Sequence, residues 1–204
     1  MERPQMAIET SNDSSGEPSA RKLSPGEIDV RAALERGERR AAVALCARHY
    51  GAPIGRLCMS LTGSQSESED LTQETFLAAY AGLHQWKDSG ALKAWLLAIA
   101  RRKCARHLER RSRHETHLRL VHDVARGELS DEQVLRKERA ERARRALDKI
   151  RPSEREALLL RFGSELSYRD LAEATGVEEA AARKRVSRAI SKLREVLGQQ
   201  ESSR

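Results

Sequence analysis

Between residues 179 and 197 the apolar positions return at helical spacing. At about 100° per residue, Ala182, Val186, Ala189, Ile190, Leu193 and Leu197 gather on one side, while Ala180, Lys184, Ser187, Arg188 and Ser191 lie opposite, flanked by Arg183 and Arg185. The pattern predicts a helix that buries one stripe and turns a basic face outward. A shorter helix precedes it, with Leu171 and Ala172 facing inward. Gly176 suits a left-handed turn, and Val177 can plug the angle between the two helices. A bracing helix, a tight turn and a basic second helix form a helix-turn-helix unit, whose second helix lies along base edges in the major groove. Arg and Lys there reach guanine edges and phosphates, and the small Ala180 and Ala181 allow close approach.

The first half of the chain carries two more helical patterns, of opposite sign. "SESEDLTQETFLAAYAGLHQW", residues 66–86, loads Glu67, Glu69, Asp70 and Glu74 into the start of a helix, where the macrodipole favours acid. "LKAWLLAIARRKCARHLERRSR", residues 92–113, begins apolar with Leu92, Trp95, Leu96 and Ile99. It then carries Arg101, Arg102, Lys103, Arg106, Arg110, Arg111 and Arg113. One helix changes along its length from core element to polyanion contact.

Serine caps mark where helices begin. Ser24-Pro25-Gly26-Glu27 places Ser at the cap, Pro at the first helical position and Glu at the third. Ser66 to Glu69, Ser130 to Gln133, Ser153 to Glu156 and Ser167 to Asp170 repeat the spacing. Breakers fall at Gly51/Pro53, Thr62-Gly63, Asp88-Ser89-Gly90, Gly127, Pro152, Gly163 and Gly176, and nothing comparable marks strands. The expected fold is all-α, two small helical domains joined by a linker, the C-terminal one with the helix-turn-helix. The expected divisions are a disordered tail over 1–23, a first helical domain over 24–112, a linker over 113–133, a second domain over 134–197 and a short tail over 198–204.

The 204 residues hold 38 Lys+Arg against 31 Asp+Glu, a formal charge of +7, which fits a nucleic-acid partner. Aromatics are only 3%, so each core is built from Leu, Ala, Ile and Val. No apolar run approaches the roughly 18–20 residues of a membrane span, and the N-terminus lacks the apolar segment of a signal peptide, so a cytoplasmic protein is expected. Cys46, Cys58 and Cys104 form no CxxC and are expected to be reduced packing residues. His114, His117 and His122 lack the Cys or acidic partners of a metal site, and no metal or cofactor is expected. No catalytic constellation appears, which argues against an enzyme.

An acidic helix, a basic helix, a linker and a helix-turn-helix, in that order, resemble the extracytoplasmic-function sigma factors of bacterial RNA polymerase. "EDLTQETF", "AWLLAIAR" with its basic end, and "SYRDLAEATGVEEAAARKRVSRAISKLRE" are similar to that family's motifs over roughly residues 40–197. The resemblance implies an alternative sigma factor that binds core polymerase and initiates transcription at promoters. It implies that Asp70, Gln73 and Glu74 dock on the clamp helices of the polymerase's largest subunit. Arg101, Arg102, Lys103, Arg106, Arg110 and Arg111, with the preceding 84–92 loop, would capture a melted minus-10 base and bind the flanking duplex. Arg183, Lys184, Ser187 and Arg188 would read the minus-35 element, with Ser167 and Tyr168 on phosphates. The implied partners are core RNA polymerase and promoter DNA, an anti-sigma protein being frequent in the family, and the expected state is a monomer.

The chain departs from the family where Arg102 replaces a frequent Asn, where Arg106-His107 replaces an Asp-Tyr or Asp-Leu pair, and where Lys184 replaces a small polar residue. The promoter bases therefore do not carry over. Two other readings compete. A helix-turn-helix regulator that binds an operator without polymerase would leave the acidic helix unexplained, and a protein-binding helical scaffold would leave both basic faces unexplained.

Overall fold

The computed structural model describes residues 23–84, 86, 91–115, 142–143 and 145–201, without the side chains of 113–115, 200 and 201. The expected tail before residue 23, the cap at Ser130, the breakers at 88–90 and Gly127, His117, His122 and most of the expected linker lie outside the described residues. All regular structure among the described residues is helical. The elements are α1 (Pro25–Glu35), α2 (Arg39–Thr62), α3 (Gln65–Gly82), α4 (Leu92–Glu115), α5 (Pro152–Leu158) continuing into a π-helical turn (Leu159–Gly163), α6 (Tyr168–Thr175) and α7 (Glu179–Glu201).

Helix α2 is the hub of the first half, packing against α1, α3 and α4. Its Cys46, Tyr50, Ile54, Leu57 and Cys58 are buried against Val30 and Ala33 of α1, Leu71 and Ala79 of α3, and Leu92, Leu96, Leu97 and Cys104 of α4. Each fully buried leucine contributes roughly 1.5–3 kcal/mol. Gly26 permits the close approach of α1 to α2, because a Cβ there would lie 2.7 Å from His49 Cγ. This packing also explains why Gly51 and Pro53 do not break the chain as expected. Proline removes one backbone hydrogen bond, but burial of Tyr50, Ile54 and Leu57 around it carries α2 through all 24 residues.

Two caps sit elsewhere than the spacing predicts. Helix α3 is capped by Ser64, whose hydroxyl accepts from the Glu67 N–H, two residues before the expected Ser66. Gly63 takes φ 81° at the end of α2, so the chain turns early and leaves Ser64 at the first free N–H groups. Helix α5 begins with Pro152 at its first position after Arg151, and Ser153 lies inside it. Ser24 and Ser167 cap α1 and α6 as expected, accepting from Glu27 and Asp170 N–H groups.

Glu27 does more than the local motif requires. It is 2% exposed, and its carboxylate accepts from the backbone N–H of Leu92, the first residue of α4, 65 positions along the chain. The acid thus stands at the positive end of the basic helix.

In the second half, α5 packs on α7, and α6 crosses α7 after Gly176, which takes the left-handed φ of 67°. The Ser164 N–H reaches the Leu159 carbonyl across the π-helical turn, at 3.1 Å. The two halves do not stand apart. The turn packs on α2, α6 packs on α4, and the buried apolar set runs without interruption from Val30 to Val186.

Candidate nucleic-acid interface

Helix α3 buries Leu71, Thr75 and Ala79 and turns Asp70 and Gln73 to solvent. Glu74, beside them, accepts from the Lys103 ammonium at 2.9 Å, and that hydrogen bond holds its carboxyl below the usual range. Between these polar groups stands Leu77, 71% exposed, with Tyr80 also exposed. The sequence reading missed Leu77. Its signal was available: at about 100° per residue, Leu77 falls between Asp70 and Gln73, far from the Leu71–Thr75 stripe. An exposed leucine beside Asp70, Gln73 and Tyr80 is a suitable anchor for a protein surface.

The described basic side chains of α4 from Arg101 to Arg111 point three ways. Arg102, Arg106 and Arg110 are exposed and lie one turn apart. Lys103, His107 and Arg111 face α3. His107 and Arg111 both reach Glu67, at 3.1 and 3.2 Å, and Arg111 also donates to the Thr62 carbonyl at 3.5 Å. Arg101 turns the other way, toward the second half, and lies 3.4 Å from Glu156 of α5. Glu156 is largely buried; desolvation raises its pKa and outweighs the opposing influence of Arg101. Of the six cations predicted to meet DNA, three are therefore exposed in one row and three are engaged by acids of the same chain.

Beside the exposed row lies a concave pocket of about 490 Å³ between α3 and α4, lined by Gly82, Trp95, Ile99, Arg102, Lys103 and Arg106. A Cβ on Gly82 would meet the Trp95 ring at 3.3 Å, so glycine is what lets the indole lie against α3. The sequence pattern placed Trp95 with the core. It is half-buried, packing against that core while its ring also forms a wall of a cationic pocket.

In the helix-turn-helix, α7 buries Ala182, Val186, Ala189 and Val196, with Ile190 and Leu193 half-buried. Leu197, expected in the stripe, is 37% exposed, and Val196 replaces it, because spacings of four, three and seven residues keep one side facing α5. Lys184, Ser187 and Arg188 are exposed together on the outer face. Arg183 is held by Glu179 at 2.6 Å and lies over the Tyr168 ring at 4.4 Å. Arg161, which the sequence reading did not single out, meets the same ring at 5.0 Å, tying the π-helical turn to α6, and donates to the Leu166 carbonyl in the segment between them. Ser167 spends its hydroxyl on Asp170, accepting from its N–H and donating to its carboxylate.

Comparison with known proteins matches residues 46–114 to sigma-70 region 2 and residues 140–193 to sigma-70 region 4. The ECF RNA polymerase sigma factor EcfG of Rhodopseudomonas palustris (strain TIE-1) is 32% identical over 146 residues, covering 68% of this chain and 76% of that protein. Among solved structures, CnrH in complex with the cytosolic domain of CnrY superposes with a TM-score of 0.63 at 26% identity, covering 84% of this chain and 97% of that one. The sigma factor RpoE in complex with the anti-sigma factor NepR from Bartonella quintana gives 0.55 at 28% identity, covering 71% and 89%. The chain belongs to the extracytoplasmic-function RNA polymerase sigma factors. Its fold, two sets of packed helices with a helix-turn-helix in the second, is theirs. Among the described residues no helix is long and apolar enough to cross a membrane.

Proposed function

We propose that this sigma factor divides promoter opening among three surfaces. The α3 face of Asp70, Gln73, Glu74 and Leu77 docks on core polymerase. The Trp95 pocket and the Arg102–Arg106–Arg110 row take a melted minus-10 base and the phosphates beside it. The outer face of α7, with Lys184, Ser187 and Arg188, reads the minus-35 element in the major groove, braced by Tyr168 between two arginines. In this reading the protein contributes binding and strand separation and no catalytic group of its own; polymerase supplies the chemistry. It works as a monomer in the cytoplasm, where polymerase and promoter DNA are found, and an anti-sigma protein like those bound to its structural relatives would compete for these surfaces.

The observation that carries the reading is the pairing of opposite surfaces on adjacent helices of the region 2 match: an acidic face with an exposed leucine on α3, and an exposed arginine row beside an indole-walled pocket on α4. An operator-binding regulator needs the helix-turn-helix and neither of these. In vitro transcription with core polymerase and candidate promoters tests it. Run-off transcripts and permanganate-reactive minus-10 thymines are expected only when protein and core are present together. Tight duplex binding by the protein alone, with no polymerase-dependent thymine reactivity on any selected template, would overturn it.

A further inference from the structure

Cys58 of α2 and Cys104 of α4 are fully buried, and their sulfurs lie 3.6 Å apart. The pair belongs to neither the docking face nor the DNA surfaces. The Cys104 thiol donates to the Cys58 sulfur, and Thr72, whose hydroxyl donates to the Ser68 carbonyl at 2.7 Å, lies near that sulfur. Thr72 also lines an open cleft of about 630 Å³ bounded by α2, α3 and the π-helical turn, together with Gly55, Ser68 and Gln73. Thr72 thus lies near the Cys58 sulfur and on the wall of an open cleft wide enough for a small oxidant.

We propose that Cys58 and Cys104 form a peroxide-responsive dithiol that closes into a reversible intramolecular disulfide joining α2 to α4. Cys58, the sulfur beside the cleft-lining Thr72, is the attacking sulfur. As thiolate it attacks one peroxide oxygen; the O–O bond breaks, a sulfenic acid forms on Cys58, and the departing hydroxide takes up a proton and leaves as water. The Cys104 sulfur then attacks the Cys58 sulfur, the S–O bond breaks, and the hydroxide leaves with the Cys104 proton as a second water. In sum, two thiols and one hydrogen peroxide give one disulfide and two waters, the sulfurs being oxidised and the peroxide oxygens reduced.

The surroundings suit this order of events. The hydrogen bond from Cys104 lowers the Cys58 pKa, and the same bond together with burial raises that of Cys104. Cys46, buried elsewhere on α2, is pushed up to about 12 by desolvation, which makes it an internal control of similar burial. Closing a gap of 3.6 Å to a sulfur–sulfur bond of about 2 Å ties α4 to α2 at the residue next to Lys103.

The test treats the full chain with graded hydrogen peroxide, blocks free thiols by alkylation after unfolding, and maps the digest by mass spectrometry without reduction. The expected result is a linked peptide pair containing Cys58 and Cys104, lighter by two hydrogens, abolished by dithiothreitol, with Cys46 still alkylated. The Cys46→Ala variant should keep the link, and Cys58→Ala and Cys104→Ala should lose it. The wild-type map stands by itself if a variant does not fold, as judged by circular dichroism. Alkylation of both Cys58 and Cys104 at doses that oxidise Cys46 or methionine overturns the proposal. So does their conversion to sulfonic acids without a link, or linkage only between separate chains.

Discussion

Arg101 of α4 and Glu156 of α5 lie 3.4 Å apart, and this ion pair joins the basic helix to the unit that carries the helix-turn-helix. The side chains are 27% and 16% exposed, so the contact is drier than the other ion pairs of α4. A phosphate that takes the Arg101 Nη1 hydrogen bond must displace Glu156. The charge that should help bind DNA is thus occupied when the two halves are packed together.

Replacing Glu156 with Gln is expected to free Arg101. Promoter duplex affinity should rise, and the plot of log K against log salt should steepen by about one phosphate contact, a slope change near −0.9. Fluorescence anisotropy across a salt series measures both. An Arg101→Ala/Glu156→Gln double variant should return to the wild-type slope; a slope identical in all three proteins would mean that Arg101 never meets phosphate.

Glu156 also sets a pH dependence. Its folded pKa is raised above the ordinary 4.5 by burial, so the folded chain keeps the proton longer than the unfolded chain does. The associated stability is fully present below the ordinary value and is lost as pH rises through the raised one. Relative to Glu156→Gln, the wild-type Tm should therefore fall as pH climbs through that window, read by differential scanning calorimetry. Glu74 has the opposite sign, since Lys103 lowers its pKa and its contribution disappears as pH falls, but at 46% exposure solvent screening keeps it small.

Leu77→Ala should weaken binding to core polymerase by about 1–2 kcal/mol with no loss of thermal stability, because the side chain is exposed in the free protein. Asp70→Ala with Glu74→Ala should cost about 2 kcal/mol or more if those charges become buried on docking. Surface plasmon resonance against immobilised core gives both values. A Leu77→Ala protein with wild-type affinity would place the docking face elsewhere.

The cations of the helix-turn-helix should separate in their effects. Arg188→Ala and Lys184→Ala should relax minus-35 discrimination by about 1–3 kcal/mol and leave urea unfolding unchanged. Arg183→Ala should additionally lower folding stability by about 0.5–1 kcal/mol, since its guanidinium braces the Tyr168 ring. Competition binding with mutated minus-35 elements, beside urea titrations of each variant, distinguishes the two kinds of loss.

The helix-turn-helix was legible because its signals are local: Ser167 caps, Gly176 turns, and the periodicity of Ala182, Val186 and Ala189 fixes which face is buried. The acidic and basic helices were legible from charge. Pro53 misled because a tertiary effect, burial of its neighbours on α2, overrode a local one. The sorting of α4's cations into an exposed row and engaged rows could not be read from the chain, because it depends on Glu67, Glu74 and Glu156, acids brought near by folding. Trp95 was legible only in part, since it packs against the core as expected and also walls the pocket. An indole at an apolar position reads as core, and only the missing Cβ of Gly82 and the arginines beyond it reveal a pocket wall.

The contact between Glu27 and the start of α4 bears on how the protein can be divided. The match to region 2 begins at residue 46, after the whole of α1, yet an acid in α1 occupies the leading N–H of the helix that carries the arginine row. A fragment trimmed to the matched segment would keep every cation of that helix and lose the carboxylate at its positive end, along with Val30 and Ala33 from the core beneath it. Such a fragment would fray where the Trp95 pocket begins, so poor base capture by it would report a missing brace outside the recognised boundaries. The smallest piece able to hold that pocket in shape starts no later than Ser24, the cap of α1.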